Sequence, residues 1–271
     1  MTPEAQEPDQ QTKRISVVIV SLNRKDSLRR SLTALGDGHQ VLVVDNGSAD
    51  GTCELDVEFP YARFIRLPKN FGQTKALNVG IRAADGTYTM LLHDDTTIAG
   101  DAVSALADYL EVSPDVGAVC PLDRVRPLPT PAAPDPPLQP APQSAPQVQA
   151  ECVSGAAMMF RTSYLRALRQ IDEHYGNYGS TIELCSQVKR SNRKLVILRD
   201  VTAEHGSAPS SVPRALLAGD RVAGTAVYLG KHFGFMAGML YRIKTGLSAV
   251  LTFRFKVAAG AFSGAKIDGA G

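Results

Sequence analysis

The sequence predicts an α/β fold: a mostly parallel sheet with helices on both faces, followed by a C-terminal helical segment. Three observations predict it. Apolar, β-branched runs such as ISVVIVS at 15–21 and QVLVVD at 40–45 are nearly continuous, the pattern of strands buried on both faces. Segments with helical spacing alternate with these runs, and β-α-β-α order argues for a parallel sheet. Right-handed crossovers bring the loops that follow the strands to one rim, and three of those loops, 21–23, 45–48 and 93–96, are polar.

Residues 1–12 read as a disordered N-terminus, and the domain begins at 13. After the first strand, Asn23 and Asp26 suit a turn and a cap before a helix over about 26–35, which Gly36-Asp37-Gly38 stops. The second strand, 40–45, ends in the sharp turn Asn46-Gly47-Ser48. A short helix near 52–57 and a strand near 62–67 follow. Gly72, Ala76, Gly80 and Ala84 recur every four residues, which gives the next helix one face small enough for close approach to a sheet. Asp85-Gly86 ends that helix, and 87–92 reads as a short buried strand. A helix over 100–112 and a strand from 117 complete this half.

Residues 127–146 hold nine prolines interleaved with Ala, Gln and Ser, a composition that cannot pack a core. The stretch 126–150 therefore reads as a disordered, proline-rich loop inside a domain that runs to about 210. Order resumes with a strand at 154–161, helices at 162–170 and 181–191, and strand-like 195–198 and 201–204. Residues 211–271 give a basic amphipathic region of two helical segments. Within it, over 221–271, Arg221, Lys231, Arg242, Lys244, Arg254, Lys256 and Lys266 stand against Asp268 alone, a balance of +6 in a chain whose net charge is +2. A basic, apolar tail on a mildly acidic body suggests an anionic membrane surface as partner, with a docked helical hairpin as the alternative.

Composition narrows the function classes. Forty-four per cent apolar and 21% charged residues is an ordinary globular balance. Cys53, Cys120, Cys152 and Cys185 form no CxxC pair, so they read as reduced thiols of a cytosolic protein rather than as a zinc site or disulfide framework. No secretory signal or membrane-spanning run is legible. Neither GxGxxG nor GxxxxGK[ST] follows the first strand, which argues against the common dinucleotide and P-loop sites. Nucleic acid is not among the partners the sequence suggests.

The best place for a site is His93-Asp94-Asp95, at the carboxyl end of the strand at 87–92, where open α/β sheets bind ligands. Carboxylates so close repel unless a positive charge lies between them. A hard divalent cation held by one or two carboxylates plus phosphate oxygens would supply it; an acidic, solvated turn is the alternative.

Six motifs in order complete the reading: SVVIVSLNR at 16–24, VLVVDNGSADGT at 41–52, NFGQTKALNVGIRAADG at 70–86, LLHDDT at 91–96, SGAAMMFR at 154–161 and the stretch 171–205. With them the chain resembles the family 2 glycosyltransferases, of GT-A, Rossmann-like fold, and most closely the bacterial rhamnosyltransferase-like branch. The resemblance implies an inverting transfer of a sugar from a nucleotide-diphosphate donor to a glycan or lipid-linked acceptor in surface polysaccharide synthesis. Such an enzyme would work in the cytoplasm, at the inner face of the plasma membrane. It implies that Ser21, Asp45 and Asn46 line the base and ribose pocket and that Gly72, Lys75 and Asn78 approach the nucleotide. LLHDDT would be the metal-binding turn, with His93 and Asp94 beside the donor and Asp95 holding Mn²⁺ or Mg²⁺. His205 would be a metal or phosphate contact, or else structural.

The sequence departs from the family twice. His93 stands where Asp or Asn is usual, and the Glu-Asp pair that carries the general base is replaced by Ser180 and Thr181. Glu183, one helical turn on, is the substitute candidate, with Asp172 and Glu173 behind it. The alternative is a degenerate fold acting as a non-catalytic binding or assembly subunit. The proline-rich loop would overhang the acceptor side.

Overall fold

The computed structural model describes residues 13–143, 145–168, 171–206, 213–252, 255 and 257–259. The expected disorder at 1–12, the end of the helix at 169–170, and Arg254, Lys256, Lys266 and Asp268 of the basic tail lie outside those residues.

The first half runs β1 (Ile15–Ser21), α1 (Lys25–Leu35), β2 (Gln40–Asp45), α2 (Leu55–Glu58), β3 (Ala62–Arg66), α3 (Gln73–Ala83), β4 (Tyr88–His93), β5 (Thr96–Thr97), α4 (Gly100–Val112) and β6 (Val116–Cys120). The second half runs β7 (Arg124–Arg126), β8 (Gln139–Pro140), β9 (Gln147–Ala150), β10 (Cys152–Val153), β11 (Ala157–Arg161), α5 (Thr162–Ala167), α6 (Ser180–Arg190), β12 (Lys194–Leu198), β13 (Glu204–His205), α7 (Arg214–Phe233) and α8 (Phe235–Leu251).

Eight strands form the central sheet in the order β3-β2-β1-β4-β11-β6-β12-β9. β1, β2, β3 and β4 are mutually parallel, while β11 reverses against β4 and β6, and β9 against β12. Strand parity divides the core into two layers. Val18 and Val20 of β1 pack on one face with Leu77 and Ile81 of α3, and Val17 and Ile19 on the other with Leu28, Leu32 and Leu106. The small-residue face of α3 does what its spacing predicts. A Cβ at Gly80 would lie 2.2 Å from Val18 Cγ1, so only glycine lets the helix settle this close to the sheet.

Two segments differ from expectation. The proline-rich stretch 126–150 is expected to be disordered, but its described residues, 126–143 and 145–150, are built into the fold. β8 pairs with β7, β9 becomes an edge strand on β12, and Pro136, Ala141 and Val148 are buried. Proline tolerates such a place because an edge strand and turns do not need its missing N–H, and Asp135 adds a charge anchor at Arg221 Nη2, 2.6 Å away. The strand expected at 201–204 is instead the two-residue β13, antiparallel to β5 with His205 opposite Thr96.

Candidate active site

Chain direction puts the ends of β1, β2 and β4 on one rim, so the polar turns that follow them converge. Beyond β4 the chain turns at Asp94 and Asp95, and Arg24 enters from the turn after β1. Its Nη1 lies 2.7 Å from Asp95 Oδ2 and 3.2 Å from Asp94 Oδ1. Ser21 Oγ donates to Asp94 Oδ2 at 2.9 Å, and Ser31 Oγ to the Asp94 carbonyl at 3.1 Å. The positive charge demanded by the paired carboxylates is thus present, as a guanidinium.

The two acids are tuned apart. Burial pushes Asp94 up to about 6 against the opposing pull of Arg24 and Ser21. Burial also acts to raise Asp95, but His205 and Arg24 outweigh it and hold Asp95 at about 2. The same pairing raises His205, whereas burial, with His205 nearby, lowers His93. His93 therefore favours the neutral imidazole that a metal ligand requires.

The short β13–β5 ladder carries His205 to the turn, where its ring stands edge-on to His93 with centroids 5.6 Å apart. One ligand atom each from His93, Asp95 and His205 lies within 4.8 Å of the others. Asp95 Oδ1 is 3.1 Å from His205 Nε2, yet it is buried without a hydrogen-bond partner among the described residues. It keeps lone pairs for a further partner. Two imidazoles and a carboxylate suit Mn²⁺ or another first-row divalent ion, so the donor set fits a metal that His93, Asp95 and His205 would hold.

Arg24, His93, Asp94, Asp95 and His205 border a cavity of about 420 Å³ that also meets Asn46, Arg126, Tyr178, Ser180, Thr181 and Leu217. Asn46 is held rigidly: its amide donates to Asn70 Oδ1 at 3.0 Å, and its Oδ1 accepts from the Phe71 N–H at 2.9 Å. Asp45, also buried, accepts from the Ser48 N–H at 2.9 Å and shapes the turn. Gly72, at φ +86°, starts α3 beside them, and Lys75 is half-buried on that helix. Asn78 is placed otherwise. It is wholly buried, donating to the Ile171 carbonyl at 2.8 Å and accepting from its N–H at 3.0 Å, so it fastens the 171–173 segment to α3.

The substitute base is not brought to the cavity. Glu183 is 1% exposed, with Oε1 facing Gln187 and Lys231 at 3.0 and 2.8 Å and Oε2 facing Tyr175 and His232 at 3.0 and 2.9 Å. Helix geometry places Glu183 about a turn from Ser180, but α7 covers that side. Asp172 is taken by Lys231 at 2.9 Å and His174 at 2.7 Å, and Glu173 Oε1 meets Asn78. Ser180 and Thr181 do line the cavity, with Thr181 pressed on Gly155, where a Cβ would come 2.4 Å from its Oγ1. Sequence reasoning missed Arg24, Arg126 and Tyr178. Arg24 had a signal, as the last residue of SVVIVSLNR on the same rim as an acidic turn in need of charge.

Comparison with known proteins agrees with this geometry. The family model described as glycosyl transferase family 2 matches residues 16–169. Poly-beta-1,6-N-acetyl-D-glucosamine synthase of Staphylococcus epidermidis is 30% identical over 124 residues, which are 43% of this chain and 30% of that protein. An N-acetylglucosaminyltransferase of Sinorhizobium fredii (strain NBRC 101917 / NGR234) is 43% identical over 84 residues, 29% of this chain and 20% of that protein. The chain thus spans less than a third of the length of these two curated relatives. Among solved structures, a mannosyltransferase from Pyrobaculum calidifontis in complex with GDP-Man and Mn²⁺ superposes with a TM-score of 0.61 at 16% identity, covering 92% of this chain and 74% of the other. The fold is therefore that of the GT-A glycosyltransferases.

Proposed function

From the premise that this chain belongs to glycosyl transferase family 2, we propose that it transfers a sugar from a nucleotide-diphosphate donor to a glycan or lipid-linked acceptor, with inversion. The observation that carries the proposal is the His93–Asp95–His205 trio at the end of β4, opening on a cavity that Asn46 borders from the end of β2, two strands away. The turn at Asp45 and Asn46 would seat the base and ribose, and Gly72 would let the backbone approach the nucleotide. A divalent cation on the trio would stabilise the negative charge of the departing diphosphate. The curated relatives and the Mn²⁺-containing neighbour support this reading by likeness. Surface polysaccharide synthesis at the inner face of the plasma membrane is the setting that fits such relatives.

A second reading is a degenerate fold that binds without turnover. One observation favours it: Asp94 and Asp95 are the only carboxylates on the described cavity wall, with Ser180 and Thr181 at the base positions. Thermal unfolding with UDP, dTDP and GDP, each with and without Mn²⁺, tests the donor site. Saturation at a hundred times Kd adds about 2.7 kcal/mol, or roughly 5–10 °C for a domain of this size. A metal-dependent shift with one nucleotide that Asp95→Asn abolishes is the expected result. No shift with any of them refutes the donor site; a shift without release of the nucleoside diphosphate from the matching sugar nucleotides, in the presence of bacterial membranes, favours the second reading.

A further inference from the structure

Arg126, at the end of β7, borders the cavity with its side chain only 6% exposed. Its Nη1 donates to the Tyr178 hydroxyl at 2.9 Å, and its guanidinium lies over the Tyr178 ring, 5.6 Å from the centroid. Nε finds no hydrogen-bond partner among the described residues. Arg221, from α7, lies over the same ring at 5.2 Å. A single carboxylate oxygen answers both cations. Asp135 Oδ1, from the middle of the proline-rich loop, lies 2.6 Å from Arg221, 3.3 Å from the Tyr178 hydroxyl and 3.6 Å from Arg126.

Two guanidiniums thus share one carboxylate oxygen, while the other carboxylate at the cluster, Asp220, accepts from the Tyr178 backbone N–H at 2.8 Å. A buried guanidinium is costly unless fully paired, and Arg126 has its nearest carboxylate at 3.6 Å, a Cys152 thiol beside it and an Nε without a hydrogen-bond partner among the described residues. Fastening the loop needs only the close Arg221–Asp135 contact, so it does not account for Arg126. A site for an oxyanion with more than one acceptor oxygen does, because a planar guanidinium matches carboxylate and phosphate geometry.

We propose that Arg126, Tyr178 and Arg221 form a binding subsite for an oxyanion of the acceptor, a phosphate or the carboxylate of an acidic sugar. In the ligand-free protein Asp135 occupies it. The inference rests on the transferase reading and deepens it by giving the acceptor a negative charge. It also gives the proline-rich loop a role, since an entering anion displaces Asp135 and frees the loop from its clamp. The subsite is separate from the metal trio: it is built from β7, the residues before α6, and α7.

The test is calorimetric titration of the full chain in EDTA, which silences the metal site, with inorganic pyrophosphate, geranyl diphosphate and glucuronate as separate probes. Asp135→Asn removes the competing charge and should bind at least one probe about tenfold more tightly than the parent, a difference of about 1.4 kcal/mol. Adding Arg221→Gln, or Arg126→Gln where that variant folds, should abolish the gain, while Asp95→Asn leaves it intact. Tightest binding of geranyl diphosphate identifies a lipid-linked acceptor, and of glucuronate an acidic glycan. No gain in Asp135→Asn, or a gain that survives Arg221→Gln, overturns the subsite. The nucleotide-dependent thermal shift, run on Asp135→Asn, separates the two failures: a retained shift limits the loss to the subsite, and an absent one removes the transferase reading as well.

Discussion

Arg24 and Glu183 show how single charges decide what the site can do. Arg24 bridges Asp94 and Asp95 with all three side chains under 20% exposed. Replacing it by Gln leaves two buried carboxylates to repel each other, at a cost of roughly 3 kcal/mol. Mn²⁺ can take over the lost charge, so Arg24→Gln should be less stable than the parent without metal and should gain more in melting temperature on adding Mn²⁺. Equal stability and an equal metal response would show that Arg24 is not the counter-ion. Glu183 makes a different kind of contribution. Burial alone would raise its pKa, but His232 and Lys231 hold it at about 2, down from 4.5. A carboxyl depressed on folding stabilises above the unfolded pKa, and that share is lost as pH falls from about 4.5 to about 2. Urea unfolding of Glu183→Gln should show about 3 kcal/mol less stability at pH 7 and a shallower loss across that acid window. A parallel acid limb in both proteins would contradict the assignment. At this scale local sequence was a partial guide. His93, Asp94, Asp95 and Asn46 are legible because they sit at strand ends, whereas Lys231 and His232, which hold the Glu183 charge, come from α7, nearly fifty residues on, and no spacing rule reaches that far.

Helix α3 is the element whose sequence pattern translates most directly into structure. Its small face meets β1 and β2, and a Cβ at Gly80 would also come 3.3 Å from Val44 Cγ2. Gly80→Ala should therefore lose on the order of 2–3 kcal/mol by overpacking, despite alanine's better helix propensity, and denaturant unfolding would read that loss directly. A more stable variant would mean that the helix can lift off the sheet at little cost. Periodicity is informative where one element packs on one neighbour, which is why α3, α4 and the inner strands are legible. It fails at the proline-rich stretch and at β13. Composition there reports only that no independent core can form, while the order comes from others: β12 offers a free edge to β9, Arg221 offers a charge to Asp135, and β5 offers two residues to β13. His205 reaches Asp95 through that last pairing, so the completion of the metal trio depends on a two-residue ladder that sequence alone does not announce.

The molecule as a whole is polarised by its C-terminal hairpin. α7 belongs to the body that carries the cavity: Leu217 borders it, Asp220 accepts from the Tyr178 N–H at 2.8 Å, and Gly224 lies so close to the Tyr178 carbonyl that a Cβ would sit 2.4 Å from it. α8 packs on α7 through small residues, with Gly238 against the Ala226 carbonyl. Its large side chains are left outside: Met236, Leu240, Ile243, Leu247 and Leu251 follow one face, each at least 41% exposed. No described helix is long and apolar enough to cross a membrane, and residues 221–267 contain no Asp or Glu. An apolar stripe in an all-cationic setting fits the interface of an anionic bilayer, each basic residue near the surface adding about 1 kcal/mol. The protein should therefore float with vesicles containing phosphatidylglycerol, less so with neutral ones, and less as salt rises. Leu240→Glu combined with Leu247→Glu should abolish flotation while leaving the nucleotide-dependent thermal shift unchanged, because both positions lie on the exposed face. Flotation that ignores lipid charge would refute the electrostatic part. A lipid-free dimer that the same pair dissolves would instead assign the stripe to a second copy of the chain. Because α7 joins this hairpin to the cavity wall at Leu217, docking α8 on a bilayer would set the height at which a lipid-linked acceptor meets the site.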